Sequence, residues 1–208
     1  MNEKHFEIID NQRVYDFDKT MTFLNQFGKS KFGGKFQILR SDTKILRSLM
    51  AYAIRDQEYC KKLNIDLGKG ILLIGKVGCG KTSLMDIFRI LHYREFQYAI
   101  HATREIAKEF NINGYTVLNK YGKMHKTICF DDLGIEQNIK HFGNECNTMA
   151  EIQLSRYDLM KYSGILTHAT TNLNADELEK LYGNRVRSRL REMFNLITFP
   201  NTAFDKRK

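Results

Sequence analysis

Between residues 41 and 63 the apolar positions Ile45, Leu46, Leu49, Met50, Ala53 and Ile54 recur at steps of three and four, which places them on one face of a helix. The pattern predicts an amphipathic helix from Ser41 to near Leu63. Beyond it the texture alternates. Short apolar runs of strand length fall at 71–75, 97–101, 127–131, 165–170 and 195–199, and helix-prone stretches lie near 81–92, 103–110, 148–162 and 175–182. Such alternation predicts an α/β fold, a five-stranded parallel sheet flanked by helices. Two helix starts carry capping chemistry: Thr148 with Glu151 three residues on, and Asn174 followed by Asp176 and Glu177. The first forty residues mix aromatics (Phe6, Tyr15, Phe17, Phe23, Phe27, Phe32, Phe36) with the basic segment GKSKFGGKF and show no clean period. Residues 1–40 are read as an N-terminal extension packed on the core, and 41–208 as the α/β domain. The single proline, Pro200, follows the last strand.

Composition narrows the function classes. A chain of 208 residues with 42% hydrophobic content can bury one good core. Its 33 Lys and Arg against 24 Asp and Glu leave a formal charge of +9, which suits acidic partners such as nucleic acid or phosphorylated ligands, and equally a solvated basic surface. Cys60, Cys79, Cys129 and Cys146 lie far apart with no CxxC pair or matching histidine spacing, so neither a zinc site nor a disulfide framework is expected. A reducing cytoplasm fits that usage. The N-terminal MNEKHFEIID lacks the apolar core of a signal peptide, and no run reaches membrane-spanning length, so no membrane partner is expected.

The stretch GKVGCGKT, residues 75–82, matches GxxxxGK[ST], with a strand expected before it and a helix after it. Its glycines let the backbone curl so that the amides of Gly75, Lys76, Val77, Gly78, Cys79, Gly80, Lys81, Thr82 and Ser83 can surround the phosphates of ATP. Lys81 reaches the β- and γ-phosphates, and the Thr82 hydroxyl can ligate Mg²⁺. A phosphate loop also needs an acid for the metal and a group to orient water. Thr127–Asp132, TICFDD, offers both at the carboxyl end of a strand: Asp131 for the Mg²⁺ shell, and Asp132 facing the attacking water.

GKVGCGKT, FDDLG at 130–134, HATTNLNADEL at 168–178 and YGNRVRSRLREMF at 182–194, taken in order, resemble the DnaC/DnaI/IstB branch of AAA+ ATPases, the replicative helicase loaders and related transposition ATPases. The likeness covers roughly residues 65–207. It implies a P-loop NTPase (AAA+) core and an ATPase, with Asp132 following the branch habit of Asp at the second acidic position. It implies that Asn172 acts as the sensor-1 group, reaching between that acid and the γ-phosphate. It implies that Arg189, supported by Arg185, is an arginine finger inserted into a neighbouring subunit's nucleotide, while Arg187 and Arg191, on another helix face, are read as solvated. A finger supplied in trans predicts weak hydrolysis by the lone chain and a homo-oligomeric ring or spiral when active. The tail after Arg191 is too short for a full C-terminal helical lid, and Arg207 is a candidate sensor-2 residue, with a plain disordered basic tail as the equal alternative.

Loaders of this branch grip single-stranded DNA, and Lys108, Lys120, Tyr121, Lys123, His125 and Lys126 are the candidate contacts here, against the plainer reading of a solvated face. His101, His125, His141 and His168 share no metal spacing and are assigned to strand ends or the surface. Few residues precede the core and none matches a known helicase-binding pattern. Several readings therefore stay open: an ATPase that assembles on DNA and recruits or remodels a replication partner such as the replicative helicase, an IstB-like helper of a transposase, a small P-loop metabolite kinase, and a non-hydrolysing nucleotide switch.

Overall fold

In the computed structural model, which describes residues 5–10, 12–136, 139–141 and 144–206, the chain opens with an antiparallel hairpin, β1 (Phe6–Ile9) and β2 (Gln12–Tyr15). Helices α1 (Phe17–Phe32), α2 (Thr43–Ala53) and α3 (Gln57–Lys62) follow. The alternating part then runs β3 (Gly70–Ile74), α4 (Lys81–Phe88), β4 (Ala99–Ala102), α5 (Thr103–Asn113), α6 (Thr116–Gly122) and β5 (Ile128–Asp131). A small hairpin, β6 (Ile139–His141) with β7 (Asn144–Cys146), precedes α7 (Thr148–Ser163), β8 (Thr167–Thr171), α8 (Ala175–Met193) and β9 (Phe194–Thr198).

The expected five-stranded parallel sheet is present, in the order β4-β5-β8-β3-β9. Its side chains alternate between two apolar cores, one on each face, as the strand period of two requires. Ile71, Leu73 and Cys129 enter one core with Ile87, Phe88 and α2, while Leu72, Phe130 and Ala169 enter the other with Phe110, Ile152 and Leu190. Because the strands are parallel and Ile74 pairs with Thr171 and Ala102 with Asp131, the residues that follow β3, β5 and β8 all emerge along one edge. That edge carries the candidate site. No helix of the described residues is long and apolar enough to cross a membrane, and none follows β9.

Three helical expectations change. The helix expected over 41–63 is broken into α2 and α3, because Arg55 takes a left-handed φ of 56° and Asp56 starts a new helix by accepting from the Tyr59 amide at 2.8 Å. The segment without a clean period contains the 16-residue α1, capped by Asp16, whose buried positions Thr20, Leu24 and Gly28 recur every four residues. Aromatics scattered around that stripe hid it. Gly28 is required there, since a β-carbon would stand 2.1 Å from the Phe36 ring. Leu24 is fully buried in the same core as Leu73, and Lys31 pairs with Asp86 of α4 at 2.6 Å. Finally, α7 is capped by Asn147, whose side chain accepts from Ala150, and Thr148 is already the first helical residue. The Asn174 cap of α8 is present as a full capping box with Glu177.

Candidate functional site

The loop between β3 and α4 is built by backbone freedom. Gly78 and Gly80 adopt φ of 81° and 100°, conformations that side-chain-bearing residues rarely take. Gly75 has no room for a side chain, because a β-carbon would lie 2.8 Å from the Cys79 sulfur and 2.9 Å from Phe199. Gly80 then caps α4 without any side-chain acceptor, which leaves the first-turn amides facing outward from a helix N-terminus. Cys79 is fully buried and presents only backbone to the loop; burial, partly offset by the Lys81 ammonium, pushes its thiol up. Lys81 is 5% exposed, and its ammonium donates to the Gly75 and Lys76 carbonyls at 2.8 and 3.1 Å. These bonds hold the cation at the mouth of the loop.

Across the sheet edge, the Thr82 hydroxyl donates to Asp131 Oδ1 at 2.8 Å. The Thr170 hydroxyl donates to the same oxygen at 2.7 Å and accepts from the Asp132 amide at 2.9 Å. Asp132 follows in a left-handed turn, φ 57°, fixed further by the Thr103 hydroxyl donating to its carbonyl at 2.8 Å. Asn172, one residue past β8, lies between the strands that bear the loop and the acids, and its buried Oδ1 has no hydrogen-bond partner. Such an orphaned acceptor costs about 1–3 kcal/mol, so its position is held by the surrounding fold and not by its own bonding. Thr82 and Asp131 supply hard oxygen donors of the kind Mg²⁺ prefers, and among the described residues there is no cluster of three or more His, Cys, Asp or Glu that could hold a metal.

Sequence reasoning missed a strap. After β9, residues 200–206 turn across the 75–82 loop: the Lys206 amide donates to the Gly78 carbonyl at 3.0 Å, and Lys76 Nζ donates to the Asn201 carbonyl at 2.6 Å. Asp205 lies against Gly78, whose β-carbon would meet its carboxylate, and Lys206 forms an ion pair with the buried Asp42. The sequence signal was faint, an acid and a base in FDKRK with no partner in view. These contacts hold the described part of the tail against the loop, and Arg207 lies outside the described residues.

The arginine segment is not at the phosphate loop of its own chain. Arg189 stacks on Tyr157 at 4.3 Å and donates to the Tyr157 hydroxyl and to Glu192, on the α7 side. Arg185 and Arg191 are exposed, but Arg187 is half-buried with an unpartnered Nε, which corrects its assignment to a solvated face. The nucleic-acid candidates divide as well. Lys123, His125 and Lys126 are exposed near the start of β5, and Lys108 and Lys120 are exposed but paired with Glu105 and Glu109. Tyr121 is only 5% exposed and bonded to Glu109, so its ring offers no stacking surface to a base.

Two buried groups were misjudged or overlooked. His168 is enclosed in the core; its Nδ1 accepts from the Ile71 amide at 3.0 Å, and burial holds its pKa well below the usual value. It packs with His92, which burial lowers to about 4, and with Tyr98. Arg156 is fully buried, and its guanidinium donates to Thr167 Oγ1 and to the carbonyls of Met124, Lys126 and Leu166. Burial pulls its pKa down to about 10. The side chain of His141 is not among those described.

No protein-family profile and no curated protein sequence matches the chain. Solved structures do. A DnaC helicase loader superposes with a TM-score of 0.56 at 19% identity, covering 78% of this chain and 92% of the other. DnaI superposes with a TM-score of 0.54 at 20% identity, covering 78% and 87%. The replication initiator DnaA bound to AMPPCP and single-stranded DNA reaches a TM-score of 0.52 at 15% identity, covering 82% of this chain and half (50%) of that one.

Proposed function

On a DnaC-like AAA+ fold, we propose that the chain binds ATP with Mg²⁺ and hydrolyses it slowly alone and faster when assembled on single-stranded DNA, where it recruits or remodels a replication partner as a helicase loader does. The observation that carries the reading is the bond from Thr82 on the phosphate-loop helix to Asp131 on β5, an oxygen pair set beside a helix N-terminus without a side-chain cap and a buried lysine. Bound Mg²⁺ would neutralise phosphate charge between Thr82 and Asp131. Lys81 leaves its two carbonyls for the phosphates, Asp132 faces the attacking water, and Asn172 donates its amide to that region while its oxygen gains a partner. Arg189 leaves Tyr157 and Glu192 to reach a neighbouring copy's nucleotide in a ring or spiral.

A fluorescent ATP analogue titrated into wild type and Lys81→Ala tests the first step: affinity lost with the lysine supports the phosphate loop, and equal micromolar binding by both overturns it. Turnover measured with and without single-stranded DNA tests the second, since a metabolite kinase would transfer phosphate as a monomer without DNA. DNA affinity should fall as salt rises, because counterion release drives the phosphate contacts. Co-sedimentation with a purified replicative helicase, against a transposase, decides the partner.

A further inference from the structure

Four residues past Asp132 lies Glu136, a buried carboxylate that the proposed chemistry does not use. One oxygen accepts from the Gly134 amide at 2.9 Å; the other accepts from the hydroxyl of Tyr182, which is itself buried. No lysine, arginine or histidine among the described residues pairs with it. Burying an acid against a single hydroxyl and one amide is expensive, and a fold that needed only packing there would be better served by an apolar side chain.

Its surroundings suggest what it does instead. Gly134, at φ 99°, lets the 132–136 loop close on Leu173, the neighbour of Asn172, with a β-carbon there standing 2.4 Å from that leucine. Leu133 is locked to β8 in both directions, its amide donating to the Thr170 carbonyl at 2.7 Å and its carbonyl accepting from the Thr171 hydroxyl at 2.6 Å. On the other side, Tyr182 is the last residue before Gly183, whose φ of 82° and ψ of 162° interrupt α8. The half of α8 before the break is pinned by its capping box and by Asn147, which donates to the Leu181 carbonyl at 3.0 Å. The half after it carries Arg185, Arg187 and Arg189. The Glu136–Tyr182 bond therefore joins the loop of the acids to the one break in the arginine helix.

We infer that Glu136 and Tyr182 are positioning residues that couple occupation of the γ-phosphate side, through the 132–136 loop, to the direction in which the second half of α8 presents its arginines. A shift of the Asp132 turn moves Glu136, Glu136 carries the Tyr182 hydroxyl with it, and the Gly183 break lets residues 184–193 turn without unwinding the helix before it. The inference rests on the nucleotide reading above.

Hydrogen–deuterium exchange on the full chain, with and without a non-hydrolysable ATP analogue, tests the coupling. In wild type the analogue should slow exchange in 75–82 and change it by about threefold or more in 184–193. In Tyr182→Phe, which loses only the hydroxyl, and in Glu136→Met, which loses the acceptor, the 75–82 response should stay while the 184–193 response disappears. Glu136→Gln should keep both responses, because its oxygen can accept from Gly134 and its amide can donate to the Tyr182 hydroxyl. Turnover of the assembled Tyr182→Phe protein should fall about tenfold with KM within twofold, whereas a merely structural bond would lower the melting temperature alone. A 184–193 response that survives in Tyr182→Phe, or is missing from wild type while 75–82 responds, overturns the inference and leaves the nucleotide reading standing. If 75–82 fails to respond at saturating analogue, the nucleotide reading falls and takes the inference with it.

Discussion

The two ends of the central sheet solve the problem of buried polarity in opposite ways. Where β5 and β8 begin, Arg156 places a guanidinium in the interior and donates four bonds, to three carbonyls and one hydroxyl. At the end where the same strands finish, Asn172 Oδ1 has no partner and Lys81 is parked on carbonyls of its own loop. The first end is closed, since its four bonds tie α7 to the start of β8, at Leu166 and Thr167, and to the loop before β5, at Met124 and Lys126. The second has polar capacity in reserve, and a ligand that filled it would be bound by groups the fold has already desolvated.

The sharpest way to break this contrast is Arg156→Ala. It strands three carbonyls in the interior, so urea unfolding should show a loss of about 3–5 kcal/mol, with ATP affinity of the folded fraction unchanged. A mild effect would mean that the closed end is not what holds the sheet together. Next comes Lys81→Ala at the open end: ATP affinity should fall at least about 100-fold, roughly 3 kcal/mol, with little change in urea midpoint. Acidification sharpens the closed side again. His92 and His168 have folded-state pKa values below their unfolded value of about 6.5, so the unfolded chain binds more protons and stability falls as pH drops. For His92, at about 4 in the folded state, the loss runs from about pH 6.5 to about 4 and amounts to roughly 3 kcal/mol. A urea midpoint flat over that window would contradict the enclosed ring cluster. The smallest effect is on Asn172→Ala, where turnover should drop about 10-fold or more while stability holds or rises by up to about 1–3 kcal/mol, because the buried Oδ1 has no hydrogen bond to lose. A clear destabilisation would show that the asparagine belongs to the closed class after all.

Legibility followed the range of the interaction. The strands β3 and β5 could be read because GILLI and ICF are continuous apolar runs, β4, β8 and β9 because shorter apolar stretches recur at the same spacing, and the curl of GKVGCGKT because its glycines stand at fixed positions along consecutive backbone amides. The helix α1 was missed because its buried positions, Thr20, Leu24 and Gly28, include only one strongly apolar side chain, and only contact with Phe36 and the core explains the glycine. The break at Arg55 could be seen only in hindsight from Asp56, since an apolar stripe continues on both sides. Nothing local marked Arg156 as interior or Tyr121 as enclosed; their burial is decided by what α7 and α5 cover.

By itself, then, the order of residues determined the strand and helix alternation, the parallel sheet and the curl of the loop at 75–82, all properties of segments whose geometry depends on neighbours a few positions away. The tertiary structure alone decided that Thr82 meets Asp131, that residues 200–206 cross the loop, that Glu136 finds Tyr182 and that Arg189 rests on Tyr157. Those pairs are separated by tens of residues or more, and only the packing of helices onto both faces of the sheet sets which side chains meet.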